Sequence, residues 1–173
     1  MKTLRYILIA ILFVSCGAVV NYDYEKSTDF TQYKTYNYFD DMQTGLSGLD
    51  TKRIKRAIDS KLAAMGLTLS EYPDFYIDIQ SEELQLGNNS NIGVGVGGTG
   101  GNVGGGVTVG FPMGGRQYSR EVIIDFVDKQ NGEKLFWQAV SKSDFSQNTN
   151  PEKRQDYFNK LIDEIFEGYP PKN

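Results

Sequence analysis

One cysteine and no histidine set the range of chemistry open to this 173-residue chain. Without histidine there is no imidazole general base, no Ser-His-Asp triad and no Cys/His metal centre, and a lone cysteine closes no intrachain disulfide. That cysteine, Cys16, ends the run Leu12-Phe13-Val14-Ser15-Cys16. The run suits thiol acylation: Cys16 offers a thiol to diacylglycerol, and Ser15 supplies the small residue before the bond that a lipoprotein signal peptidase cuts. It resembles a lipobox, with Phe13 standing where Leu is usual. Upstream, Lys2 and Arg5 precede an apolar run of nine residues, 6–14. A spanning helix needs about 20 such residues, so the pattern reads as a cleaved signal peptide and not as an uncleaved anchor. The competing reading is an ordinary secretory peptide cleaved after Gly17 or Ala18, which would discard Cys16.

Acylation at Cys16 divides the chain into a signal peptide, residues 1–15, a lipidated start with a short tether, 16–18, and a folded body, 19–171. Each buried acyl CH₂ contributes about 0.8 kcal/mol, so two or three chains, palmitate among them, hold a protein durably where one holds it marginally. Gly17-Ala18-Val19-Val20 contains no Asp of the kind that retains lipoproteins at the inner membrane, and no acidic cluster of the kind linked with surface export. By resemblance to sorted lipoproteins, the expected home is the outer membrane, on its periplasmic face.

Other candidate chemistry is thin. With 18 Lys plus Arg against 22 Asp plus Glu, the chain carries −4 and has no basic run, which disfavours a nucleic-acid partner. Asp125 with Asp128, or Glu82 with Glu83, would be the carboxylate pairs for glycoside hydrolysis or calcium. Strand alternation points the members of each pair to opposite faces, no calcium-loop spacing is present, and all four read as surface carboxylates. Gly93-Val94-Gly95-Val96-Gly97-Gly98 fits the letters of a dinucleotide fingerprint, but more glycine follows where a helix must start. The expectation is a protein that is not an enzyme, with no catalytic residue, no metal and no cofactor.

The elements that would position a site read as α+β. Residues 19–24 alternate with Val20, Tyr22 and Tyr24 on one face; residues 35–39 repeat the pattern, giving two adjacent strands. Asp50 is the expected cap of a helix whose stripe is Ile54, Ile58, Leu62 and Met65, closed by Gly66. Lys52, Arg53, Lys55, Arg56 and Lys61 fall mainly off that stripe and read as a solvated helix back in preference to a lipid or nucleic-acid face. A strand follows Pro73 with Phe75, Ile77 and Ile79 on one face. Two strands, 121–128 and 134–142, flank an Asn131-Gly132 turn, a strong hairpin signal. A last helix starts at Asn150-Pro151, carries Phe158, Leu161, Ile162, Ile165 and Phe166 on one stripe, and closes at Gly168. Short connections imply an antiparallel or mixed sheet with both helices packed on one face. Trp137, Phe126 and Phe158 read as core, and Tyr22, Tyr36 and Tyr38 as candidates for an exposed binding surface.

A long glycine-rich hairpin or loop, 87–115, interrupts the strands. Residues 84–115 carry no charge, and 13 of the 19 glycines lie within 87–115. Ile92, Val94 and Val96, then Val107, Val109 and Phe111, alternate with small residues. Glycine weakens a strand by roughly 0.5 to 1 kcal/mol per residue, so a fraying loop competes with an ordered hairpin. An uncharged apolar edge of this kind suits partner docking by strand addition, or contact with a lipid surface.

Val20-Asn21-Tyr22-Asp23-Tyr24, Asp29-Phe30-Thr31-Gln32-Tyr33-Lys34-Thr35-Tyr36, Pro73-Asp74-Phe75, the glycine-rich insert, Val122-Ile123-Ile124-Asp125-Phe126-Val127-Asp128 and Lys134-Leu135-Phe136-Trp137 together resemble the DUF4136 family of bacterial, Bacteroidetes-like lipoproteins over residues 18–171. That resemblance implies fold and location and carries over no catalytic residue. The expected function is a non-enzymatic envelope lipoprotein, a binding or adaptor module docking an envelope protein or another envelope component. The alternative is a lipid or glycan carrier, or an enzyme acting on them, working in a cleft between helix and sheet.

Overall fold

The computed structural model describes residues 17–86, 117–129 and 132–172. In chain order these form β1 (Val19–Tyr24), a 3-10 turn (Phe30–Gln32), β2 (Thr35–Tyr38), α1 (Gly48–Ala64), β3 (Thr68–Leu69), β4 (Phe75–Leu86), β5 (Gln117–Asp128), β6 (Lys134–Phe145), α2 (Pro151–Ile165) and a closing 3-10 turn (Phe166–Gly168). The six strands make one sheet in the order β1-β6-β5-β4-β2-β3. β4, β5, β6 and β1 pair antiparallel, while β2 runs parallel to both β4 and β3, so the sheet is mixed. Both helices pack on one face of it.

The expected pairing of the first two strands is corrected here: β1 and β2 lie in opposite halves of the sheet. Residues 25–34 join them by crossing the end where the β5–β6 turn also lies. Phe30 pins that crossing, packing edge-on to Tyr169 at 5.9 Å and against Phe136 at the same distance. We call this the closed end. The strands also run longer than alternation alone indicates, because β4 and β5 pair from Tyr76 with Val127 out to Leu86 with Gln117.

Local rules place the helix ends. Asn150 caps α2 by accepting from Lys153 N at 2.9 Å, with Pro151 in the first turn. The cap of α1 is Ser47 and not Asp50: the Ser47 hydroxyl accepts from Asp50 N at 3.2 Å. Asp50 is freed for tertiary work, bonding Arg53 at 2.8 Å and Arg154 of α2 at 3.4 Å. Gly66, at φ +85°, stops α1 as its position predicts.

A bulge at β6 shapes the core. Phe126 pairs with Trp137 and Val127 with Leu135, so Phe136 is the extra residue, and both Phe136 and Trp137 turn inward. Phe136 stacks on Tyr33 at 4.1 Å, and Trp137 packs on Phe126 and Tyr169 at 4.7 and 5.1 Å. Ile54, Ile58 and Leu62 of α1 and Phe158 and Ile162 of α2 meet Phe75, Ile77, Ile79 and Ile124 with essentially no exposure. The helix–sheet interface is filled.

Two tyrosines expected at the surface are buried. Tyr36 and Tyr38 are 2% and 5% exposed, and their hydroxyls converge on one Asp59 oxygen at 2.9 and 2.7 Å. Burial, first, and the Asp59 carboxylate, second, push both phenols up. Tyr22 keeps its partial exposure. Asp128 is likewise no surface carboxylate: it is 4% exposed and accepts from the Tyr33 hydroxyl at 3.1 Å. Those contacts, with burial first, push Tyr33 up to about 12.

Candidate functional site

The expected lipidation and cleavage residues, Cys16 and Ser15, and the expected docking residues Ile92, Val94, Val96, Val107, Val109 and Phe111, lie outside the described residues. What the structure supplies is where their flanks stand. Val19 is level with Lys142, which pairs with Glu121, which pairs with Glu82. The roots of the glycine-rich insert, Leu86 and Gln117, stand four residues further along the same strands, about 13 Å at strand rise. Gly17 and the insert therefore leave the body at one end of the sheet, opposite the closed end.

At that end the first described residues are fixed to α2. Ala18 N donates to Glu164 Oε2 at 2.7 Å, Lys160 Nζ stands 3.7 Å from the other Glu164 oxygen, and Tyr22 donates its hydroxyl to the Glu164 carbonyl at 3.1 Å. A Cβ on Gly17 would stand 2.9 Å from the Glu164 carboxylate. A shallow cavity of about 310 Å³ opens beside this junction, lined by Gly17, Val19, Ser119, Lys142, Tyr157 and Leu161 among others. Gly17 and Ala18 are thus held against the body.

The same end carries a buried cation that alternation, started at residue 121, did not reach. Arg120 is 7% exposed on the helix side of β5, ion-paired to Glu83 at 2.8 Å and bonded to Ser81 Oγ at 3.1 Å. Its guanidinium lies 3.9 Å over the Phe145 ring, and Arg154 lies 4.6 Å from that ring's centre. Glu83 is thus a partner of Arg120, whereas Glu82 stays exposed on the other face, which confirms that the two point apart.

The sheet face without helices holds the second feature. Asp125 and Asp128 do point to opposite faces, but register brings Asp125 directly opposite a different carboxylate, Asp78 of β4. Each is answered by a glutamine amide: Gln138 Nε2 donates to Asp125 at 2.8 Å and Gln80 Nε2 to Asp78 at 2.9 Å. Burial pushes the Asp125 carboxyl up, the Gln138 bond partly opposes that, and facing Asp78 adds to it. Phe39, Asp41, Met42 and Gln43 rise beside this pair and make an open cavity of about 440 Å³. Among the described residues no group of three or more Cys, Asp or Glu side chains is arranged to hold a metal. The arrangement gathers two carboxylates on an open sheet surface.

The family described as Domain of unknown function (DUF4136) matches residues 20–171 of the chain. No curated protein matches it in sequence. Among solved structures, a DUF4136 family protein from Bacteroides thetaiotaomicron superposes with a TM-score of 0.55 at 15% identity, covering 90% of this chain and 97% of that one. A PDZ domain protein from Parabacteroides distasonis reaches 0.58 at 15% identity; the match covers 91% of this chain but only 37% of that longer one. The PelC dodecamer from Paraburkholderia phytofirmans reaches 0.53 at 9% identity over 90% of this chain and 99% of that one. At these identities the likeness is one of fold.

Proposed function

The chain belongs to the DUF4136 family, and we propose that it is a non-enzymatic lipoprotein of the cell envelope: a binding or adaptor module held by an acylated Cys16 on the outer membrane and facing the periplasm. The observation that carries this reading is the shared exit of Gly17 and of the insert's roots, Leu86 and Gln117, at one end of the sheet. An acyl anchor on Cys16 would set that end on the bilayer, and the uncharged insert would leave the body beside it, where a lipid surface or an envelope partner stands. The bond from Ala18 N to Glu164 supports a body held close to the surface. PelC, a dodecamer, is a precedent for assembly by this fold. The carrier or enzyme alternative needs an open cleft between helix and sheet; Ile58, Leu62, Phe158 and Ile162 fill the middle of that interface, and the space beside it is the shallow cavity of about 310 Å³ next to Gly17.

The test is detergent extraction and affinity purification of the tagged chain from native membranes, beside Cys16→Ser and a deletion of residues 88–115. The reading expects Cys16→Ser to leave the membrane fraction, and a stoichiometric partner to follow the intact chain and not the deletion. Release of the intact chain without detergent would overturn the anchor. Recovery of the intact and deleted forms alone would overturn the docking role of the insert.

A further inference from the structure

The sheet face without helices carries a cluster of carboxylates, and the outward stripe of α1 carries two exposed cations, Lys52 and Arg56. On the sheet face without helices, Asp78 stands opposite Asp125 and, four residues along the same two strands, Glu82 stands opposite Glu121. Like charges directly opposite one another destabilise a sheet. Lys142 answers Glu121 at 2.9 Å, but Asp78 and Asp125 are met within the described residues by glutamine amides. Between and beside the acidic pairs lie the half-buried Ile123, Val127 and Val140. The face is acidic with apolar ground between the charges.

On the far side of the molecule, α1 turns Ile54, Ile58 and Leu62 inward and leaves an outward stripe of Leu49, Lys52, Arg56, Ser60 and Ala63, all exposed. These positions recur at three and four residues, so they share one helix face. Lys52 and Arg56 stand about 6 Å apart along the axis, close to the strand spacing of about 4.8 Å that separates Asp78 from Asp125. Leu49, 64% exposed, and the small residues Ser60 and Ala63 flank the cations with surface that can be buried closely on Ile123, Val127 and Val140.

We propose that the outward stripe of α1 docks on the acidic sheet face of a second copy of this chain, with Lys52 and Arg56 over Asp78 and Asp125. The interface is heterologous, since two different patches meet, so copies join head to tail and either close into a ring or run on. It goes beyond the adaptor reading and does not depend on it, because both patches lie within the folded body.

The test is sedimentation of the full-length protein in detergent. The wild type is expected to exceed monomer mass at about 50 mM salt and to weaken at least about tenfold at about 0.5 M, where the screening length falls to a few ångströms. Lys52→Glu with Arg56→Glu, and separately Asp78→Lys with Asp125→Lys, should each give monomers. Mixing the two variants should restore assembly, because each then offers what the other lost. Asp78→Asn with Asp125→Asn, nearly isosteric, provides a sheet-side variant that folds if the lysine swap does not, and it should lose the salt-sensitive assembly. A monomeric wild type at low salt, swapped variants that assemble like wild type, or a mixture no larger than its components would each overturn the proposal. A partner that co-purifies in the membrane experiment would leave the adaptor reading standing in any of those cases.

Discussion

Asp59 and Asp125 are the same residue type on opposite sides of one sheet, and their surroundings could hardly differ more. Asp59 lies on the helix side, where one oxygen takes the hydroxyls of Tyr36 and Tyr38 while Lys55 covers the Tyr38 ring at 4.0 Å. Asp125 lies on the bare side, facing another carboxylate and, among the described residues, bonded by its side chain to the Gln138 amide. The helix side is spent on folding: among the described residues most of its buried polar groups find partners inside the chain, the Trp137 indole N–H and Arg120 Nε being the exceptions, and its apolar groups find each other. The bare side keeps a repulsion that folding alone would not select, which is the feature the proposed docking of α1 accounts for.

Substitutions can break or sharpen that contrast. The largest loss is expected at Trp137→Ala, since the indole is fully buried among Phe126, Phe166 and Tyr169; denaturant unfolding should record about 3 to 5 kcal/mol. Asp59→Ala follows at about 2 to 4 kcal/mol, because it strands two buried hydroxyls that now bond to a charge. Gly45→Ala comes next, at about 1 to 3 kcal/mol in the same measurement. Gly45 sits at φ +67° with the Ser81 carbonyl in the space a Cβ would take, in the loop whose Met42 Sδ accepts from Ile79 N of β4 at 3.2 Å.

The bare side should answer with the opposite sign. Asp78→Asn removes one of two facing charges and is expected to raise stability by a few tenths to about 1 kcal/mol. The pH dependence follows from the same pair. A carboxyl raised in the folded state holds its proton more tightly there, so its contribution to stability is full below its unfolded value, near about 4, and is lost as pH rises through the higher folded value. Asp125→Asn should remove that fall, leaving a flatter stability curve above about pH 4.

How much of this was legible depended on how far apart the partners stand in the chain. The α2 stripe, its Asn150 cap, the β5–β6 hairpin and the stop at Gly66 follow from local periodicity and turn chemistry, and they stand where the sequence puts them. Asp50 was the right residue type for a cap at the wrong position, since Ser47 three residues earlier serves as well and Arg154, 104 residues away, claims the carboxylate. Tyr36 and Tyr38 share a face as alternation indicates, yet nothing local tells which face, because an amphipathic ring is hidden only when its hydroxyl finds a partner such as Asp59. The separation of β1 from β2 and the meeting of Asp78 with Asp125 are facts of register and topology. No window of neighbouring residues contains them.

The contrast between the two sides rests most directly on one variant, Asp78→Asn with Asp125→Asn, followed by urea unfolding and by low-salt sedimentation of the same preparation. If the bare side is kept for docking at a cost to folding, the midpoint rises while assembly weakens at least about tenfold. A variant that loses stability and assembles like the wild type would contradict the account.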